Sequence, residues 1–193
     1  MENKEIEFLT EYYELLNETH GEINYQNYGA YIFSLFFLRY VNCKFNKIYC
    51  ELVEEGYGFE EDIDEYLSAD VFFIPPEARW EYIVKNCYDK EISVIINHAM
   101  KYIEYSNKYL TRLTKELNFI WYDRLVNCNF NIVSLISLIN DEKTEDDYFW
   151  FKILKRIYMD MDLYNKSTKY QILDDIIYDI EYFNQYYDFE WVG

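Results

Sequence analysis

The residue types that most often carry out catalysis or bind metals are few and dispersed in this sequence. No cysteine pair has Cys-x-x-Cys spacing and no histidine lies at ligand spacing from a cysteine, so no zinc site and no Cys-His or Ser-His-Asp arrangement is predicted. Two aspartate pairs resemble carboxylates for metal-assisted hydrolysis, but no histidine accompanies them and neither pair shares a helix face. We therefore expect no enzymatic activity, cofactor or metal. The residues considered are Cys43, Cys50, Cys87, Cys128, His20, His98, Asp160, Asp162, Asp174 and Asp175.

Acidic residues dominate the charge of the chain. Asp and Glu number 36 against 18 Lys and Arg in 193 residues, which gives a formal net charge of −18. DNA is itself a polyanion whose binding requires Lys or Arg contacts to phosphate, so direct DNA binding is disfavoured. The charge favours a protein partner with a basic surface, although acidity that serves solubility alone explains it equally well.

Two segments are candidates for binding that partner. The acidic loop over residues 55–65 lacks the alternating ligand order and central glycine of a calcium site, which indicates a solvated loop. The stretch over residues 178–191 mixes rings and carboxylates that could enter a basic groove, although AT-rich coding alone also produces many of the 23 tyrosines. The predicted partner-binding residues are Glu60, Glu61, Asp62, Asp179, Glu181, Tyr182, Tyr186, Tyr187, Asp188, Glu190 and Trp191.

Helical periodicity runs through most of the chain and predicts a mainly α, bundle-like fold. One long helix is predicted over about residues 24–54, and its side chains are apolar nearly all round between residues 31 and 38. A helix without a polar face must be buried, so this one is expected to be central.

The helical pattern is interrupted before a pair of prolines. Residues 71–74 form a short apolar run that predicts an extended segment, since the residue before Pro75 is disfavoured in a helix. Pro76 suits the first position of a helix beginning at Glu77.

The larger organisation is predicted as a helical domain over residues 1–140 and an acidic helical extension over residues 141–193 packed on it. The longest apolar-rich run, residues 28–41, is too short for a membrane span and contains Arg39. The N-terminus carries acids where a signal peptide carries lysines. We therefore expect a cytoplasmic protein without a membrane segment.

Two motifs carry a family resemblance. They are Phe37-Leu38-Arg39-Tyr40 and, after the acidic loop, Phe73-Ile74-Pro75-Pro76-Glu77-Ala78-Arg79-Trp80. Their order and flanking helices resemble the helical N-terminal domain of the modification (M) subunit of type I restriction-modification adenine methyltransferases, over about residues 20–160. The positions that match motif residues look structural: Arg39, Tyr40, Phe73, Pro75, Pro76, Arg79 and Trp80.

Two of these motif positions have a specific expected role. Trp80 is expected to be an aromatic anchor in the core. Arg79 is expected to pair with a carboxylate near a helix end, in preference to contacting phosphate.

The resemblance implies an architectural role. In the family, this domain packs against a catalytic domain and the specificity subunit, and it helps to enclose DNA. The catalytic domain binds S-adenosylmethionine and holds adenine in an Asn/Asp-Pro-Pro-Tyr/Phe pocket. Here the double proline follows Ile74, and the glycine pair Gly56-Tyr57-Gly58 lies among acids. We therefore do not expect this sequence to be a methyltransferase by itself.

Two functional hypotheses follow. The leading one is a non-enzymatic inhibitor, carried by a phage or mobile element, that occupies a basic subunit or nucleic-acid surface of a host restriction-modification or CRISPR complex, as a DNA mimic does. The alternative is a split architectural subunit of a type I DNA adenine methyltransferase, supplied in trans. A direct DNA-binding module is disfavoured by charge, since its candidate basic strip holds only Lys101, Lys108, Arg112, Lys115 and Arg124.

Overall fold

Helices account for most of the residues that the structure describes, which are 2–18, 25–88, 92–107 and 129–164. In this computed structural model, the described helices are α1 (Glu2–Glu18), α2 (Tyr25–Glu55), α3 (Ile63–Ser68), a 3-10 turn (Pro76–Ala78), α4 (Trp80–Asn86), α5 (Ile92–Ser106), α6 (Asn129–Asp141) and α7 (Asp147–Tyr164). The described residues form no strand, and the prediction of a mainly α, bundle-like fold is confirmed. Within them, every helix is too short or too polar to cross a membrane.

The long helix α2 lies at the centre of the bundle because its middle section has apolar side chains on every side. All side chains over residues 32–43 are buried. The polar exceptions in that stretch are Ser34, Arg39 and Asn42. The last two residues organise the site described below.

Helix α7 packs along α2 in the opposite direction. The ring of Phe33 lies 6.3 Å from that of Tyr158, and the ring of Tyr40 lies 5.9 Å from that of Phe151. Since the residue number falls along α2 as it rises along α7, the two helices are antiparallel. The boundary predicted at residue 140 stays a prediction, because residues 165–193 lie outside the described part.

Helix α1 packs alongside α7 in the same direction. Near its start, Glu5 forms an ion pair with Lys152, and two turns later the Tyr13 hydroxyl donates to the Asp160 carboxylate. Both pairs are separated by 147 positions, so the helices are parallel and in register.

The connection between α2 and α4 differs from its predicted form. Gly56 and Gly58 adopt positive φ angles of 72° and 78°, which turn the chain at the end of α2. Residues 71–75 are extended, as predicted, but Pro76 opens only one 3-10 turn and α4 begins at Trp80 rather than at Glu77. The helix cannot run through because Arg79 has extended backbone angles, with φ −67° and ψ 146°.

Candidate interaction site

The buried arginine of the first motif joins three elements. Arg39 is only 4% exposed, and its Nη2 atom donates to the Thr144 carbonyl at 3.1 Å and pairs with Glu145 at 2.9 Å. Its guanidinium lies 5.3 Å from the Trp150 ring and 5.8 Å from the Trp80 ring. We call this set of five residues the inner clamp. It fixes the α6–α7 loop and the start of α4 against the centre of α2.

Asn42 lies three residues after Arg39 on α2, and its side chain caps the first turn of α4. Its Oδ1 accepts from the Trp80 backbone N–H at 2.8 Å, and its Nδ2 donates to the Leu38 carbonyl at 2.8 Å and the Ala78 carbonyl at 3.4 Å. Capping by a side chain from another helix satisfies the first amide of α4, which its own N-cap residue does not do. Sequence reasoning missed Asn42, although the one amide side chain within the apolar stretch 32–43 of α2 was a usable signal.

The arginine of the second motif has a similar arrangement nearer the surface. Arg79 is 18% exposed, and its Nη2 atom lies 2.6 and 2.7 Å from the two carboxylate oxygens of Glu61. Its Nε donates to the Ile74 carbonyl at 3.2 Å, and its guanidinium lies 5.0 Å from both the Phe45 and Tyr49 rings. We call these five residues the outer clamp. Arg79 therefore pairs with a carboxylate in a loop and holds the acidic turn against α2.

An asparagine side chain takes the place of a neighbouring strand beside the extended segment. The Asn107 Oδ1 accepts from the Phe73 N–H at 2.9 Å, and its Nδ2 donates to the Phe73 carbonyl at 2.9 Å and the Ile103 carbonyl at 2.7 Å. Both backbone groups of Phe73 are thus satisfied without a sheet. No local pattern indicated this role, because Asn107 lies 34 positions from Phe73.

The remaining motif positions pack at the same junction. Phe73 packs against the rings of Tyr66 at 5.3 Å and Phe45 at 6.0 Å. The carbonyls of Pro75 and Pro76 accept from the next turn, at 2.8 Å from the Ala78 N–H and 3.3 Å from the Arg79 N–H. The structure therefore brings the two motifs together where α2 meets α4.

The predicted partner-binding acids of the acidic loop have local structural contacts. The Glu60 carbonyl accepts from the Tyr66 hydroxyl at 2.6 Å, Glu61 belongs to the outer clamp, and Asp62 caps α3 by accepting from the Asp64 N–H at 3.0 Å. The other predicted partner-binding residues, from Asp179 to Trp191, lie outside the described residues.

Of the reactive groups that the structure describes, Cys43, Cys87 and Asp160 are buried, whereas Cys50 and His98 are exposed. Burial raises the pKa of the Cys43 thiol to about 12, and it raises the pKa of Cys87 as well. Asp160 accepts from Tyr13 and lies 3.3 Å from Arg156. The largest effect that raises the pKa of Tyr13 is desolvation by burial, and the next is its hydrogen bond with Asp160. Within residues 2–18, 25–88, 92–107 and 129–164, no three His, Cys, Asp or Glu residues are grouped to hold a metal. The two clamps fix the positions of α2, α4, α7 and the acidic turn relative to one another.

Comparisons with known proteins agree with the motif resemblance. A family model described as the HsdM N-terminal domain matches residues 8–180. The chain is also similar to the type I restriction enzyme MjaIX methylase subunit of Methanocaldococcus jannaschii, with 29% identity over 122 residues that cover 55% of this chain. The match covers 22% of that protein, so this chain spans about a fifth of the length of the curated relative. The predicted resemblance is confirmed.

The leading functional hypothesis from the sequence is wrong. Both matches are to a component of a restriction-modification methylase, and neither supports an anti-restriction or anti-CRISPR inhibitor or a DNA mimic. The net charge of −18 misled the interpretation because charge governs association and solubility without specifying a biological role. The alternative hypothesis, an architectural part of a type I methylase, is consistent with both matches.

Proposed function

This chain belongs to the HsdM N-terminal domain family, and we propose that it acts as the helical, non-catalytic part of a type I restriction-modification methylase. The observation that carries the proposal is the family match over residues 8–180, which includes both clamps. Since this chain matches about a fifth of its relative's length, methyl transfer is assigned here to other parts of the methylase.

The absence of a catalytic role in this proposal is supported by how the reactive side chains are used. A thiol whose pKa is about 12 is protonated at neutral pH and is a poor nucleophile. Asp160 is occupied by Tyr13 and Arg156, which stabilises the contact between α1 and α7. These groups contribute to folding instead of chemistry.

The architectural role is supported by the two clamps. Together they fix α2, α4, α7 and the acidic turn, so the surface that these elements present is set before a partner arrives. A preorganised surface loses less conformational entropy on association than a flexible one. We assign the partner to another polypeptide segment of the methylase with a basic surface, because the acids of this chain repel DNA.

Methylation in the native host tests this proposal. The coding region for residues 1–193 is removed and resupplied from a plasmid, and adenine methylation at the system's sites is read by single-molecule sequencing. We expect methylation to disappear and to return with the wild-type chain, but not with Arg39→Ala, which breaks the inner clamp. Lys85→Ala, at an exposed position of α4, is the matched control and should restore methylation. Methylation that persists without the chain would refute the proposal.

A further inference from the structure

The acidic turn between α2 and α3, together with the adjoining ends of the two helices, exposes four large apolar side chains. Val53, Tyr57, Phe59 and Ile63 are between 37% and 74% exposed, and the Tyr57 and Phe59 rings lie 6.5 Å apart. Single exposed apolar residues are common on protein surfaces, whereas contiguous apolar patches mark interaction sites, and these four side chains lie within eleven residues of chain. We call these four residues the turn patch.

The backbone beneath the turn patch is held in place from the protein interior. The Gly56 N–H donates to the Leu52 carbonyl at 3.2 Å, and the Asp62 N–H donates to the Phe59 carbonyl at 2.9 Å. The buried Tyr66 bonds the Glu60 carbonyl, and the outer clamp holds Glu61. Leu52 and Tyr66, which flank this segment, are buried, whereas the four side chains of the patch are exposed. Stability of the fold does not explain their exposure.

Carboxylates surround the turn patch. Glu54, Glu55, Glu60 and Asp64 lie within or next to it, and we call them the acidic rim. Among the described residues, Glu61 is the carboxylate of this turn that forms an ion pair, and its partner is Arg79. The rim therefore keeps its negative charge beside exposed rings.

We propose that the turn patch and acidic rim form a docking surface for a cationic amphipathic segment of a partner protein, with Lys or Arg residues flanking an apolar side chain. Burial of the rings supplies affinity, and the rim supplies charge complementarity. A nucleic acid is repelled by the rim, and a second copy of this chain carries the same net charge of −18. This inference rests on the proposed function only in that the chain works within an assembly of polypeptides.

A labelled peptide provides the test. The probe is a fluorescein-labelled 18-residue amphipathic helix of Leu and Lys, and the reference probe has Glu in place of Lys. We expect fluorescence anisotropy to detect binding of the Lys peptide alone, with an affinity that falls as salt is added. Tyr57→Ser with Phe59→Ser should weaken binding about tenfold, and Glu54→Gln with Glu55→Gln and Glu60→Gln should do the same.

Two matched controls separate the docking surface from general effects. Tyr88→Ser with Tyr105→Ser removes two exposed rings elsewhere, and Glu7→Gln with Glu11→Gln and Asp141→Asn removes three charges from the groove between α1 and α6. Both controls should bind the Lys peptide within about twofold of the wild type. Equal weakening in a control, no binding to the wild type, or equal binding of the Glu peptide would overturn the proposal.

A sedimentation measurement tests whether a second copy of this chain occupies the turn patch. If the wild-type chain dimerises and the Tyr57→Ser, Phe59→Ser variant does not, the patch binds a second copy and the proposal is wrong. Failure of the docking surface appears in these binding data, whereas failure of the proposed function appears as methylation that does not require the chain. The two outcomes are therefore distinguishable.

Discussion

The two clamps use the same parts in different environments. Each places an arginine against two aromatic rings and pairs it with a glutamate from a surface loop, but Arg39 is 4% exposed and Arg79 is 18% exposed. The Arg–Glu pair of the inner clamp spans 106 positions, whereas that of the outer clamp spans 18. Because the two arginines have similar partners, we expect the difference in burial to decide how much each contributes to stability.

The largest expected effect tests the inner clamp. Arg39→Ala should lower the free energy of unfolding by about 3 kcal/mol, because it removes a buried side chain from between two tryptophans and leaves a cavity. Urea unfolding followed by tryptophan fluorescence measures the change. Lys85→Ala, an exposed control, should change it by less than about 0.5 kcal/mol. A loss for Arg39→Ala as small as that of the control would mean that burial does not distinguish the clamps.

The second prediction concerns the cap beside the inner clamp. Asn42→Ala should cost about 2 kcal/mol, because it leaves the Trp80 N–H without its partner in a buried site. Asn86→Ala is the matched control, since its amide bonds only the Tyr82 carbonyl at an exposed position. The same urea experiment should give less than about 0.5 kcal/mol for that variant. Equal losses for the two asparagines would contradict the capping role.

The third prediction uses pH to compare a buried and an exposed cysteine of α2, Cys43 and Cys50. Burial raises the pKa of Cys43 from 9.0 to about 12, so above pH 9 the unfolded chain releases this proton while the folded chain retains it. Stability should therefore fall as pH rises from 8 to 10, and Cys43 should account for roughly 1–2 kcal/mol of that fall.

Variants at two cysteines isolate this contribution. The loss between pH 8 and 10 should shrink in Cys43→Ala but not in Cys50→Ala, whose cysteine is exposed beside the outer clamp. The slopes of unfolding free energy against pH are compared. Because the cost of a cavity at position 43 does not depend on pH, it does not affect this comparison. An unchanged slope in Cys43→Ala would place the alkaline loss elsewhere.

The smallest expected effect tests the outer clamp. Arg79→Ala should cost about 1 kcal/mol, because its ion pair and ring contacts are partly solvated. High salt should reduce this loss, since it screens the Arg79–Glu61 pair, but should leave the loss for Arg39→Ala nearly unchanged. Unfolding at low and high sodium chloride concentration measures both. A loss for Arg79→Ala that equals that of Arg39→Ala would remove the distinction between the clamps.

Local sequence patterns predicted much of the fold but few of the hydrogen bonds and ion pairs of the site. The central position of α2 follows from an apolar circumference, which any helix must bury, and the extended run before Pro75 follows from steric restriction. The start of α4 was missed because the conformation of Arg79 depends on Glu61 and on the Ile74 carbonyl.

The partners of Arg39 and of Phe73 lie too far along the chain for residue spacing to predict them. Glu145 and Asn107 are 106 and 34 positions from the groups that they bind, and nothing in their own neighbourhood marks them. The motifs indicated where the junction lies, since Arg39 and Trp80 both belong to it. They did not indicate that the turn beside it would expose apolar side chains, because exposure is decided by packing of the whole bundle.

The matched register of α1 and α7 has a consequence for synthesis on the ribosome. Helix α1 packs on α2 through Phe36 but pairs with α7 about 147 positions later, and the face of α2 that α7 covers is also completed only then. At ordinary translation rates, the intervening residues take on the order of ten seconds to emerge. During that interval the nascent α2 can pack against α1, α4 and α5 but lacks α7, so part of its apolar surface stays uncovered until the last described helix has left the exit tunnel.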